Sequence, residues 1–201
     1  MECTRAWIEK VHSLDKRLTS GMIIADTLWR AGASQIHPHL QVWLGGQYEG
    51  QFAVLERQSV LYRQQHGTSF ISDMVYLHLK LGLAVTVGDV VVMAPLTSHK
   101  EYELMVVSPV VDDTFTQVYA NIMKVYNEDL SLYCRSMAMS WPSLDTTGGK
   151  VDTLPAILRV GSRGACDSGI NDVSSLELYS VYSVSVDPYT TINMFKHVVN
   201  I

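Results

Sequence analysis

Residues 36 to 44 alternate in a way that admits few readings. Read as a strand, Ile36-His37-Pro38-His39-Leu40-Gln41-Val42-Trp43-Leu44 sends successive side chains to opposite faces. His37, His39, Gln41 and Trp43 then line one face, while Ile36, Pro38, Leu40, Val42 and Leu44 line the other. One face carries imidazoles and an amide; the other is apolar enough to be core. Just upstream, Gly32-Ala33-Ser34 is expected to form a tight approach whose free backbone N–H groups and serine hydroxyl would hold an anion beside the imidazoles. The combination points to phosphate chemistry with a histidine nucleophile, because neutral imidazole is a competent nucleophile near pH 7. A His-x-His pair is equally half of a metal site, so the pair alone leaves both roles open.

A chain of 201 residues can bury a real core. Its 47% hydrophobic and 17% charged content is that of a soluble globular protein. No apolar run approaches the ~20 residues of a membrane span, and the opening Met-Glu-Cys-Thr-Arg lacks the apolar stretch of a secretory signal. The expectation is a cytoplasmic protein with no membrane partner. Cys3, Cys134 and Cys166 are far apart and odd in number, so each is predicted to remain a thiol. A formal net charge of -5 argues against nucleic acid as a partner and leaves a small phosphorylated molecule as the expected ligand.

Hydrophobic periodicity predicts a helix over 5–18 that stops at Gly21, a short apolar run over 22–25, and a loop over 26–31. A weak helix follows over 52–65, broken by His66-Gly67, and a boundary falls near 67. Ser72-Asp73 caps a predicted helix with Met74, Leu77 and Leu81. Strands over 84–87 and 90–94 flank a Gly88-Asp89 turn, and another covers 102–107. Asp112 starts a helix with a continuous apolar stripe from Phe115 to Tyr126. Strands are expected over 130–141, 155–163 and 176–186, a polar loop over 145–151, and a terminal helix from Asp187-Pro188. Hairpins in place of regular crossovers give the class as α+β on an antiparallel sheet with flanking helices.

The segment Gly32-Ala33-Ser34-Gln35-Ile36-His37-Pro38-His39-Leu40-Gln41 resembles the active-site strand of the histidine-triad superfamily. The resemblance is to the branch of the hexose-1-phosphate (galactose-1-phosphate) uridylyltransferases and diadenosine tetraphosphate phosphorylases. That branch reads His-x-His-x-Gln, whereas the superfamily's hydrolases carry a third histidine at the place of Gln41. The resemblance implies His39 as nucleophile, Gln41 as a donor to the phosphoryl group, and Gly32, Ala33, Ser34 and Arg30 around the nucleotide phosphate. It implies zinc as the one expected cofactor, because His37 matches the position that ligates the metal in metal-containing members. The substrates it implies are a nucleotide-sugar or dinucleotide and a sugar phosphate or phosphate, in galactose and related carbohydrate metabolism; the assembly it implies is a homodimer.

Departures from the pattern accompany the match. Asp26 stands thirteen residues before His39, where the branch carries an asparagine, and a carboxylate repels a phosphate that an amide would bind. Ser174-Ser175-Leu176-Glu177-Leu178 resembles the strand that reaches the hexose across a dimer interface, with Glu177 matching the sugar-binding glutamate. Asn171, Leu176 and Ser183 stand where a lysine, a tyrosine and a glutamine are expected. Arg159 and Arg163, on the strand beside that loop, are candidate phosphate contacts. The implied layout is an incomplete first histidine-triad-like half, residues 1–67, of which only the C-terminal part is present, and a second half, residues 68–201. Three functions fit: a uridylyltransferase-like nucleotidyltransferase, a dinucleotide or nucleotide-sugar phosphorylase with the same nucleophile, and a truncated non-catalytic binding or dimerisation module. Pro38 leans toward the first and Leu40 toward the second.

Overall fold

A computed structural model describes residues 1–145, 154–169 and 172–201. Among these, seven strands form one antiparallel sheet: β1 (Ser20–Thr27), β2 (Gln41–Gly45), β3 (Ala84–Val87), β4 (Val90–Met93), β5 (Leu104–Ser108), β6 (Arg135–Ser140) and β7 (Ala156–Ser162). Their order is β2-β1-β6-β7-β5-β4-β3. Helices α1 (Glu2–Leu14), α2 (Gly50–His66), α3 (Phe70–Lys80), α4 (Asp113–Lys124) and α5 (Pro188–Val198) flank it. The α+β class read from the sequence is the class observed. No helix among the described residues is long and apolar enough to cross a membrane.

Both sheet faces are covered, which is why the central strands read as continuous apolar runs such as Leu104-Met105-Val106-Val107. Ile23, Val92, Val106, Met139 and Leu158 pack with Ile8 of α1, Phe115, Val118 and Ile122 of α4, and Ile192 and Phe195 of α5. Ala84, Met93, Met105 and Ile157 face the other way, into a smaller core with Phe52 and Leu55 of α2 and Ile71 and Met74 of α3. Buried tyrosines bond the segments that flank the sheet to its backbone. The Tyr48 hydroxyl donates to the Trp141 carbonyl at 2.6 Å, fixing the entry to α2 against the end of β6. Tyr126, in a π-helical turn after α4, donates to the carbonyls of Tyr102 and Val160. Burial raises the pKa of both phenols, so they stay protonated donors.

The helix predicted over 5–18 spans Glu2–Leu14 instead. It ends at Asp15, whose carboxylate accepts the Arg17 backbone N–H at 3.0 Å in a tight local turn. Gly21 is therefore inside β1 and not a helix stop. The predicted cap of α3 shifts from Ser72 to Ser69, whose hydroxyl accepts the Ser72 N–H. Asp112 and Asp187 cap α4 and α5 through the N–H groups of Phe115 and Tyr189, as the sequence suggests. The strand expected over 176–186 is absent: Ser175–Tyr179 form a 3-10 turn and the chain to 186 runs outside the sheet. The polar loop predicted over 145–151 lies, apart from Asp145, outside the described residues. The cysteine expectation is also corrected, since Cys134 and Cys166 form a disulfide with Cα atoms 5.6 Å apart. Sequence distance misled here: Arg135 pairs with Ser162 in the β6–β7 ladder, which brings the residues flanking that rung together. Cys3 is a free, exposed thiol.

Gly21 is needed for space. A Cβ there would stand 2.8 Å from the Trp141 Cβ, nearer than packed carbons come. Gly21→Ala is expected to lower unfolding stability by about 1–3 kcal/mol, read as a shift of the urea midpoint at unchanged slope.

Candidate active site

The strand predicted over 36–44 is real only from Gln41 onward. Gln41 lies opposite Ile24 of β1, and the pairing ends there. Pro38 has no N–H to contribute to a ladder, so His37 and His39 sit in the approach to β2 and not within it. The structure still brings the two histidines together, with ring centroids 5.4 Å apart. His39 is half-buried while His37 and Gln41 are exposed. The His39 Nδ1 lies 3.0 Å from the His37 carbonyl oxygen. A carbonyl only accepts, so Nδ1 carries a proton, and it is Nε2 that the ring exposes as an acceptor or nucleophile when neutral.

The expected phosphate cradle does not form as predicted. Trp29–Ala31 make a 3-10 turn closed by Gly32 at φ +94°. Its N–H groups are used within the turn: that of Gly32 donates to Trp29 at 3.0 Å, and that of Ala33 donates to Leu28 at 3.2 Å. Neither is free for an anion. Leu28 holds φ +64°, a conformation costly for a γ-branched residue and so imposed by the turn. Arg30 is engaged by the loop after β7. Its Nε donates to the Arg163 carbonyl at 2.7 Å and its Nη1 to the Ser168 carbonyl at 2.6 Å. Its charge holds the loop after β7, because carbonyls there have no strand partner. Ser34 remains exposed, the one predicted cradle residue presenting its side chain to solvent beside the histidines. Asp26, expected in a loop, belongs to β1 opposite Ser136. Thr27 extends the strand by accepting the Arg135 N–H at 3.0 Å and donating to the Tyr133 carbonyl at 2.6 Å. Asp26 shares its sheet face with Ile24 and hence with Gln41.

Glu177 sits in the Ser175–Tyr179 turn and its carboxylate accepts from Lys100 Nζ at 2.7 Å. That hydrogen bond, with Arg163 nearby, lowers its pKa. Lys100 also reaches Asp172 at 3.1 Å, and Arg163 meets the same carboxylate at 2.9 Å. Arg163 is thus committed to an ion-pair cluster that fastens the Glu177 turn to the sheet. A zinc site on His37 does not fit the described residues: they contain no group of three or more potential ligands, and Cys134 and Cys166 are bonded to each other.

Sequence reasoning assigned nothing to His99 and Glu103, which the fold assembles with Arg159 on the sheet face opposite α4. Buried Glu103 accepts the N–H groups of His99 and Lys100 at 2.5 and 3.3 Å, and pairs with Arg159 Nε. Arg159 Nη1 lies 3.3 Å from His99 Nε2, and the imidazole stacks on Tyr182 with centroids 4.0 Å apart. Burial first, then Arg159, lowers the His99 pKa. The only signal in sequence was an isolated glutamate preceding a strand of apolar residues.

No protein-family model and no curated protein matches this sequence. Solved structures do match its fold. A uridylyltransferase superposes with TM-score 0.79 at 12% identity, covering 99% of this chain and 67% of that one. A uridylyltransferase mutant gives the same score and identity, over 99% and 70%. An ADP-glucose phosphorylase from Arabidopsis thaliana, solved with bound ADP-glucose, gives 0.73 at 14% identity, over 97% and 65%. The chain therefore spans about two thirds of the length of the structures it matches. It has the uridylyltransferase-like fold, with the His37–Gln41 segment leading into an edge strand.

Two outcomes follow from this geometry. Arg30→Ala removes both carbonyl bonds, so amides of 163–169 are expected to exchange with deuterium about tenfold faster or more, measured by mass spectrometry on peptides. A His99 pKa held below the ordinary value of 6.5 leaves the folded ring neutral while the unfolded ring takes a proton. Stability is then full above pH 6.5 and falls as pH drops below it toward the folded pKa. The urea midpoint between pH 5 and 7.5 is expected to show that decline in the wild type and less of it in His99→Gln.

Proposed function

We propose that the chain carries a nucleotidyltransferase site working through a nucleotidyl-His39 intermediate. The observation that supports this best is the 3.0 Å contact between His39 Nδ1 and the His37 carbonyl, which keeps a proton on Nδ1 and leaves Nε2 as the nucleophilic nitrogen of the neutral ring. The fold shared with a uridylyltransferase and an ADP-glucose phosphorylase supports the same reading. Nε2 attacks the α-phosphorus of a nucleotide-sugar or dinucleotide, the bond to the leaving phosphate oxygen breaks, and a phosphoramidate forms. A phosphate oxygen of the acceptor then attacks phosphorus, the P–N bond breaks, and Nε2 recovers its lone pair. Gln41 donates its side-chain amide to a non-bridging oxygen as charge grows there. Because an amide cannot deliver a proton, acceptors and leaving groups that are already phosphates suit this site.

A sugar phosphate as acceptor makes the enzyme a uridylyltransferase-like transferase; inorganic phosphate makes it a phosphorylase. Ser34 is the contact proposed for the nucleotide phosphate. Glu177 is proposed to release Lys100 and bind sugar hydroxyls when the hexose arrives. A homodimer in the cytoplasm is part of the same reading. The alternative, a non-catalytic module, draws support from Asp26 on the site's face and from the spent N–H groups of Gly32 and Ala33.

The test is intact-protein mass after incubation with UDP-sugars, GDP-sugars, ADP-sugars and diadenosine polyphosphates. A gain of one nucleotidyl group, the mass of a nucleoside monophosphate less one water, in the wild type and absent in His39→Ala, is expected. No gain with any donor would favour the non-catalytic module. Asp26→Asn replaces a repelling carboxylate by a donor, and is expected to speed adduct formation by about tenfold, followed by quench and mass measurement.

A further inference from the structure

Beneath α2 and α3 a cavity of about 780 Å3 opens onto the sheet, a volume suited to a small organic ligand. Its floor is the face that carries Gln41. Gln41 lies opposite Ile24, Ile24 opposite Ala138, Ala138 opposite Arg159, and Arg159 opposite Met105. Gln41 and Arg159 thus occupy one row three strand spacings apart, about 14 Å, and His37 and His39 lie outside the cavity's lining. Phe52, Leu55, Phe70 and Met74 roof the cavity over Met105 and Ile157. At one end stands the cluster of Arg159, Glu103, His99 and Lys100.

The charges at that end are unequally spent. The Glu103 carboxylate already has three donors, from His99, Lys100 and Arg159. Lys100 turns its ammonium to Asp172 and Glu177. His99 is held neutral and faces Arg159 with its acceptor nitrogen. Arg159 spends Nε on Glu103 and Nη1 on His99, and its Nη2 has no partner among the described residues. A guanidinium N–H edge at the end of an apolar chamber calls for a planar acceptor carrying charge, which a carboxylate supplies. A polyanion such as a diphosphate is a poor match, because its further charges would face phenylalanine and methionine without partners.

We propose that this cavity binds a monoanionic amphiphile, an acyl or aryl carboxylate. Its carboxylate sits on the Nη edge of Arg159, and its apolar body lies between α2, α3 and the sheet. The site is separate from His39 and stands whether or not nucleotidyl transfer does.

Isothermal titration calorimetry with decanoate, decan-1-ol and inorganic phosphate tests it. Decanoate is expected to bind saturably at one site per chain, decanol at least about tenfold more weakly, and phosphate not at all. Arg159→Met combined with Glu103→Gln removes both charges together, leaving no orphaned carboxylate in the core, and is expected to weaken decanoate about tenfold or more with little effect on decanol. Leu61→Glu, on the exposed side of α2 at the cavity mouth, leaves the core untouched and is expected to weaken decanoate by repulsion. His39→Ala is expected to leave decanoate binding unchanged. Absence of saturable decanoate binding to the wild type, equal affinity for decanol, preference for phosphate, or unchanged decanoate affinity in both pocket variants would each overturn the proposal.

Discussion

The antiparallel pairing of β1 with β6 is the joint on which the molecule depends. Six consecutive residues of β1, Met22 to Thr27, are registered against Ser140 to Arg135. Without this ladder, β1 and β2 would be a two-stranded ribbon, which is marginal in water. With it, the ribbon becomes the continuation of a sheet packed on both sides, and the loop carrying the histidines is held at a rigid edge. Gly21 belongs to the same joint: the absence of its side chain lets Trp141 close over the end of β6, and Tyr48 then bonds the Trp141 carbonyl and sets α2 in place.

Where one local force dominated, the sequence was easy to read. The β3–β4 hairpin was readable because Gly88-Asp89 has turn chemistry between two β-branched runs, and Val87 does lie opposite Val90. The starts of α4 and α5 were readable because aspartate caps bond only to nearby N–H groups. The errors have other causes. The helix ends at Asp15 in a turn closed by the Arg17 N–H, and β2 is cut short at Pro38 although β1 continues to Thr27; the missing strand at 176–186 depends on whether a partner strand is available, and no local pattern encodes a partner. Leu176-Glu177-Leu178-Tyr179 alternates well enough for a strand, yet the sheet ends at β2 and β3, and Leu178 and Tyr179 point into solvent.

The site was legible in proportion to its locality. His37, Pro38, His39 and Gln41 form a contiguous motif, and the contact between the His37 carbonyl and the His39 ring spans two residues, so residue types alone were informative. The roles given to Gly32, Ala33 and Arg30 required knowing which donors would be left over. The turn at Leu28–Ala33 consumes its own amides, and the loop after β7, more than a hundred residues away, takes the arginine. The Glu103–Arg159–His99 cluster was invisible for the same reason, since its members meet only across the β5–β7 ladder and the loop before β5.

Two of the moorings of the loop after β7 stand in contrast. One mooring is the Cys134–Cys166 bond; the other is the Arg30 side chain, reaching the carbonyls of Arg163 and Ser168. They differ in kind. Thiol chemistry makes the first conditional on the surrounding redox potential, and in a reducing compartment it opens to two thiols. A guanidinium bonded to carbonyls has no such dependence. The fold therefore keeps the 3-10 turn and the β7 loop in register by a tether that no reductant reaches, and a change of compartment alters the loop's stiffness before it alters its position.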